Sequence, residues 1–141
     1  MNANLPRQFV DTNVLVYVHD KSAGAKYERA AALVTGLWEA GNGCLSTQVL
    51  QEFYVTVTRK VARPLTGETA AQIVADLGKW RVHAPGVQDV LGAIEIHRRF
   101  DVSFWDALIL RSASQLGCLV VWSEDLNPGQ GYGLVRVQNP F

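Results

Sequence analysis

The stretch Gln8-Phe9-Val10-Asp11-Thr12-Asn13-Val14-Leu15-Val16-Tyr17 constrains the fold more than any other part of the chain. A short apolar run ends on a carboxylate, and a second apolar run begins two residues later. The first run reads as a buried parallel strand and the second as a short helix. Asp11 then stands at the carboxyl end of a strand, where open α/β sheets place their ligand crevices. Asp is also a favoured helix cap, so capping alone would account for it. The acids further along the chain weigh against that simpler reading.

The rest of the chain repeats the alternation. Ala25 to Ala40 reads as a helix with Ala30, Leu33, Val34 and Leu37 close to helical spacing, closed by Gly41-Asn42-Gly43. Cys44-Leu45-Ser46 is a short strand. Thr47 to Lys60 is an amphipathic helix carrying Val49, Leu50, Phe53, Tyr54 and Val57, with Ser46 or Thr47 as its cap. After the break at Arg63-Pro64-Leu65, a helix runs from Thr66 to about Trp80 with Ile73, Val74 and Leu77 inward. Arg81-Val82-His83 is a weak strand. Val87 to Phe100 is a helix with Val87, Val90, Leu91 and Ile94 on one face, and Asp101 to Gly117 is the next helix. Cys118 to Trp122 is the clearest buried strand, Asn127 to Gly133 a glycine-rich loop, and Leu134 to Val137 a last strand. Strands alternating with helices predict a parallel sheet covered on both faces.

At 141 residues there is room for a single domain, 1–141, with a substantial core. Formal net charge is zero, which argues against a strongly basic nucleic-acid face without excluding a local one. No apolar run reaches the ~18 residues of a membrane span. Met1 to Arg7 lacks the apolar core of a signal peptide, so a cytoplasmic protein is expected. Cys44 and Cys118 lie in apolar runs without metal-ligand spacing and read as reduced, buried residues.

Several acids share one structural address. Asp11 follows the first strand, and Asp125 follows the strongest one. Asp106 lies in the first turn of a helix, and Glu52 lies in the second turn of another. In a parallel sheet, strand carboxyl ends and helix amino ends meet on one edge. Each acid has a simpler explanation: Ser103-x-x-Asp106 fits a capping box, Asp125 suits a turn, and Glu52 suits a solvated helix face. Convergence is harder to dismiss. Two carboxylates ~5 Å apart repel by roughly 3 kcal/mol at an effective dielectric near 20, so such a cluster calls for protons or cations. Oxygen ligands favour Mg²⁺ or Mn²⁺, and such a metal activates water and stabilises phosphoryl charge. The chemistry that follows is phosphodiester hydrolysis.

Phe9-Val10-Asp11-Thr12-Asn13-Val14-Leu15 resembles the opening motif of PIN-domain ribonucleases. Ser46-Thr47-Gln48-Val49-Leu50-Gln51-Glu52-Phe53 resembles their second motif, and Ser103-Phe104-Trp105-Asp106-Ala107-Leu108-Ile109 the third. Ser123-Glu124-Asp125-Leu126, the glycine loop and Asn139-Pro140-Phe141 resemble the close of the VapC-type toxins. The resemblance implies an α/β fold, a three-layer α/β/α sandwich around a short parallel sheet. It implies a Mg²⁺-dependent endoribonuclease (Mn²⁺ in its place) acting on RNA, inhibited by a cognate antitoxin, and a homodimer. Asp11, Glu52, Asp106 and Asp125 are then the catalytic acids. Asp11 and Asp106 are the direct metal ligands, with Glu52 and Asp125 completing the site, and Asn13 and Ser123 are polar supporting groups.

Other features carry less. Gly129-Gln130-Gly131-Tyr132-Gly133 precedes a strand, which is the wrong context for a phosphate loop. His19, His83 and His97 have no ligand spacing, and no Ser-His-Asp set has a recognisable context. Trp105 adjoins Asp106 and is the tryptophan best placed to stack a base. The clusters Arg59, Lys60, Arg63 and Arg98, Arg99 are candidate phosphate contacts or solvated helix ends. Two alternatives stand beside the nuclease: a noncatalytic PIN-like protein-binding module, and a metal-dependent phosphotransfer enzyme. A haloacid-dehalogenase-like phosphatase would want an Asp where this chain has Asn13, and a receiver domain an acceptor Asp where it has His83-Ala84-Pro85.

Overall fold

The computed structural model describes residues 5–127 and 129–141. Residues 1–4, part of the stretch read for a leader, and Pro128 of the glycine loop lie outside the described residues. Strands β1 (Gln8–Val10), β2 (Gly43–Ser46), β3 (Arg81–His83), β4 (Val120–Trp122), β5 (Gly131–Tyr132) and β6 (Val135–Gln138) form one sheet in the order β3-β2-β1-β4-β6-β5. All pairings are parallel except β5 with β6. Helices α1 (Thr12–Val18), α2 (Ala25–Ala40), α3 (Thr47–Arg59), α4 (Gly67–Leu77), α5 (Val87–Phe100) and α6 (Phe104–Gln115) flank the sheet. This is the α/β architecture with a mostly parallel central sheet that the alternation predicts.

The central strands are buried on both faces, so they read as unbroken apolar runs and not as alternation. Phe9, Val10, Cys44, Leu45 and Val121 are fully buried, and Val49, Phe53, Val57, Ile109 and Leu110 cover them from α3 and α6. Both cysteines are free and buried. No described helix is long and apolar enough to cross a membrane.

Chain order within the sheet creates the crevice. From β1 the chain crosses to β2 on one side, while β4 lies on the other. Connections therefore diverge at the β1–β4 boundary, where open α/β sheets hold ligands. The two strand ends are tied there, Asp11 N–H donating to the Trp122 carbonyl at 2.9 Å.

Four local expectations are corrected. Asp101 does not begin α6; it closes α5 in the left-handed conformation (φ 55°), which Asp tolerates, and α6 starts at Phe104 behind its Ser103 cap. Helix α4 stops at Leu77, which leaves Trp80 free to lay its ring over Gly43. Strand β4 begins only at Val120, and Leu119 before it is half exposed. The glycine loop contains β5, two residues folded back on β6 through Gly133 at φ 68°.

The apolar face of α5 points outward. Val87, Val90, Leu91 and Ile94 are all exposed, while Ala93 and half-buried Gly92 and Ile96 turn inward. Small residues on the inner face let α6 come close. An added Cβ at Gly92 would lie 2.8 Å from the Arg111 guanidinium.

Candidate active site

Asp11 follows β1 because the buried run ends there and α1 begins. It is the N-cap of α1: Oδ1 accepts from the Thr12 N–H at 2.7 Å. Oδ2 accepts from Ser123 Oγ at 2.8 Å and faces Asn13 Nδ2 at 3.4 Å. The capping reading and the site reading therefore coexist on one side chain. Ser123, fully buried after β4, donates to Asp11 and accepts from the Asp125 N–H at 3.1 Å. Asn13 bridges the two strand ends: its amide donates to Asp125 Oδ2 at 3.0 Å and to Ser123 Oγ at 3.2 Å. Its carbonyl oxygen accepts from the Glu124 N–H at 3.3 Å.

Glu52 comes in from α3. Its Oε1 accepts from the Thr12 hydroxyl at 2.7 Å, and its Oε2 lies 3.4 Å from Gln48 Nε2. Gln48 also donates to the Trp105 carbonyl at 3.1 Å, joining α3 to the first turn of α6. Asp106 stands in that turn. Ser103 caps the turn by accepting from the Asp106 N–H at 3.1 Å. The reciprocal carboxylate bond of a capping box is not among the hydrogen bonds of the described residues. Asp106 thus keeps its carboxylate for the cavity.

Asp11, Glu52, Asp106 and Asp125 all line one cavity of about 740 Å³. Asp20 lines it too, and an apolar wall of Val16, Tyr17, Val55, Val61 and Ala62 completes it. Among the described residues none of the four acids has a Lys, Arg or His nitrogen within 4.0 Å. Burial pushes Asp11 from 3.8 up to about 6; the Ser123 and Thr12 hydrogen bonds oppose the rise, and the Glu52 and Asp125 charges add to it. Glu124, next to Asp125, behaves differently. Burial pushes it up, but the Lys26 and Tyr17 hydrogen bonds outweigh that and hold it below the usual carboxylate range.

The carboxylates lining the cavity outnumber its Lys60 and offer oxygen ligands, which suits a hard cation. Gln48 Oε1 is buried there without a partner. Among the described residues no three His, Cys, Asp or Glu side chains already stand grouped as metal ligands. The Thr12, Asn13 and Gln48 contacts instead hold the acids singly.

Thr12 and Gln48 are the site residues that sequence reasoning missed. Their signal was available: Thr12 opens a helix beside Asp11, and Gln48 stands one turn before Glu52 on α3. A Ser-His-Asp chain does form elsewhere. His83 meets Ser112 Oγ at 2.8 Å and Asp89 Oδ2 at 3.3 Å. Ser112 is fully buried, so the chain fastens β3, α5 and α6. Trp105 is 62 % exposed, and Lys60 of the first basic cluster lines the acidic cavity.

The fold agrees with solved structures. One is the sarcin-ricin loop cleaving toxin VapC20 of Mycobacterium tuberculosis (TM-score 0.64, 23% identity, 92% of this chain and 98% of that one). A second is the DNA-bound VapBC of Salmonella typhimurium (TM-score 0.68, 17% identity, 97% and 100%). A third is a toxin-antitoxin complex from Klebsiella pneumoniae (TM-score 0.69, 16% identity, 95% and 98%). No curated protein matches the chain by sequence. The PIN domain model matches residues 9–129, a span that holds every acid of the cavity, and the chain belongs to the PIN domain family.

Proposed function

We propose that this protein is a Mg²⁺-dependent endoribonuclease, the toxin of a toxin-antitoxin pair. One observation carries the reading: four carboxylates without basic partners among the described residues line one cavity at the β1–β4 crevice, and the most buried of them is raised to about 6. An uncompensated acidic cavity is costly unless a cation occupies it. Asp11 and Asp106 would hold Mg²⁺, or Mn²⁺, with Glu52 and Asp125 completing the set. Bound there, the metal supplies Lewis acidity towards a phosphoryl oxygen and an activated water near neutral pH.

The chain's own residues do the rest. Ser123, Asn13 and Thr12 fix the rotamers of Asp11, Asp125 and Glu52, so the acids keep their orientation when RNA arrives. The Asp11 charge is needed for metal, and its raised value makes protons compete near pH 6. Lys60, the one Lys or Arg among the cavity-lining residues, is the phosphate contact on this reading.

The inhibitor is a cognate antitoxin. The apolar wall of Val16, Tyr17, Val55, Val61 and Ala62 suits an amphipathic helix, and the adjoining acids suit an extended basic tail. The outward face of α5 suits a second copy, so the active form is a homodimer of single-domain chains. Two free, buried thiols fit a reducing cytoplasm.

The test is RNA cleavage by the purified protein in Mg²⁺, in chelator, and with Asp11→Asn. Cleavage by wild type in Mg²⁺ that is lost in chelator and lost in the variant supports the proposal. Equal cleavage in all three reactions sinks it.

A further inference from the structure

We infer that Glu124 is a positioning residue: its carboxylate clamps the Ser123–Asp125 turn onto α1 and α2 and so holds Asp125 towards the cavity. The role of Asp125 rests on the nuclease reading above. The clamp itself rests on contacts of Glu124, which does not line the cavity, with Tyr17 and Lys26.

Glu124 and Asp125 are neighbours with opposite surroundings. Asp125 is exposed, lines the cavity and takes the Asn13 amide. Glu124 does not line the cavity, and its side chain is 19% exposed. Its Oε1 accepts from the Tyr17 hydroxyl at 2.6 Å, and its Oε2 pairs with Lys26 Nζ at 2.8 Å. Tyr17 belongs to α1 and Lys26 to α2, so both oxygens are held, by two different helices. The two anchors are braced in turn. The Phe141 ring meets the Tyr17 ring edge-on at 5.2 Å, and Lys26 Nζ sits 5.3 Å from the Tyr17 ring and 5.6 Å from the Phe141 ring. Arg29, also on α2, donates to the Phe141 backbone oxygen at 2.7 Å.

The turn needs such an anchor. Between β4 and the glycine loop it belongs to neither strand nor helix, so no ladder fixes it. Its backbone is tied by Ser123 N–H to the Gln138 carbonyl at 3.0 Å and by Glu124 N–H to Asn13 at 3.3 Å. Both ties lie before Asp125. Without the Glu124 side chain, Asp125 would keep the Ser123 hydroxyl and the Asn13 amide as its polar contacts, with the buried Leu126 holding the chain beyond it. Groups that orient a metal ligand without touching the metal typically change affinity by about 10–100-fold.

The experiment compares wild type, Glu124→Ala and Glu124→Gln by two readouts. Gln keeps an acceptor for Tyr17 or Lys26 but loses the charge. The first readout is amide hydrogen exchange in chelator, which needs neither metal nor activity. Exchange at Glu124 and Asp125 should rise at least about tenfold in Glu124→Ala relative to the β1 and β2 amides, with most protection restored in Glu124→Gln. The second is Mn²⁺ affinity, with Mn²⁺ alone as the probe. It should fall by about 10–100-fold in Glu124→Ala and by less in Glu124→Gln. Unchanged exchange at the turn overturns the clamp. Raised exchange with Mn²⁺ affinity unchanged leaves a structural anchor only and overturns the positioning role. Loss of protection across the whole sheet in both variants also counts against it. A wild type that binds no Mn²⁺ would instead defeat the nuclease reading, and exchange alone would then decide the clamp.

Discussion

Asp11 performs two tasks at the residue scale. One oxygen caps α1, and the other takes the Ser123 hydroxyl in a buried position. Burial raises the group from 3.8 to about 6. Between those values the folded protein binds the proton more tightly than the unfolded chain. The contribution of this group to stability is therefore full below about pH 4 and lost as pH rises through about 6. The shift corresponds to about 3 kcal/mol at neutral pH. Asp11→Asn keeps a good capping side chain and removes the charge. In chelator it should be more stable than wild type by up to about 3 kcal/mol near pH 7, and close to wild type near pH 4. Urea unfolding at both pH values checks this; an equal difference at the two would contradict it. The four acids were legible as a set because Asp11 and Asp125 follow strands and Asp106 and Glu52 lie in the first two turns of helices. Thr12 and Gln48 stand beside acids in the chain and on α3, but their shared contact with Glu52 shows only once α1 and α3 are packed together. The clamp of Glu124 was not legible either, since nothing in the chain order brings Lys26 and Tyr17 to it.

At the scale of elements, the helices were legible from period, caps and glycines: α2 and α5 have the bounds read from sequence and Ser46 caps α3, while Thr66, read as the first residue of α4, is its cap. The central strands β1, β2 and β4 were legible as apolar runs. The direction of a helix face was not. The α5 pattern of Val87, Val90, Leu91 and Ile94 looks like a core stripe, yet α6 packs against the opposite side, where Gly92 and Ala93 allow close approach. A stripe of this kind left uncovered on a folded chain is where a second copy would pack. On the proposed homodimer, Leu91→Glu should convert a dimer to a monomer in light scattering while circular dichroism stays unchanged. A variant of unchanged mass would remove α5 from the interface. Strand β5 was hidden because two residues carry no period and glycines read as loop. Glycine has a tighter duty in β2, where a Cβ on Gly43 would stand 2.4 Å from the Trp80 ring. That ring is itself met edge-on by Trp38 at 5.6 Å. Gly43→Ala should cost about 1–3 kcal/mol of stability in denaturant unfolding, by overpacking. A loss near zero would mean the ring moves freely.

For the whole molecule, four distant segments meet because the sheet order places β1 between β2 and β4. Order along the chain was legible, and the shared sheet edge follows from parallel strands. The charge of the cavity was not visible in the composition, since a net charge of zero hides an acidic pocket among basic helix ends. On the proposed function the pocket's acids act together as one hard-cation site. Paired thermal unfolding of wild type and Asp106→Asn, each in chelator and in millimolar Mg²⁺, separates that site from a set of independent carboxylates. Metal that binds only the folded state stabilises it, by about 2.7 kcal/mol at one hundred times its dissociation constant. Wild type should gain stability of that order in Mg²⁺, and Asp106→Asn should gain much less while remaining folded in chelator. If Asp106 serves only the helix dipole, its loss costs about 0.3–1 kcal/mol alike with and without Mg²⁺. An identical Mg²⁺ gain in the two proteins would contradict the claim.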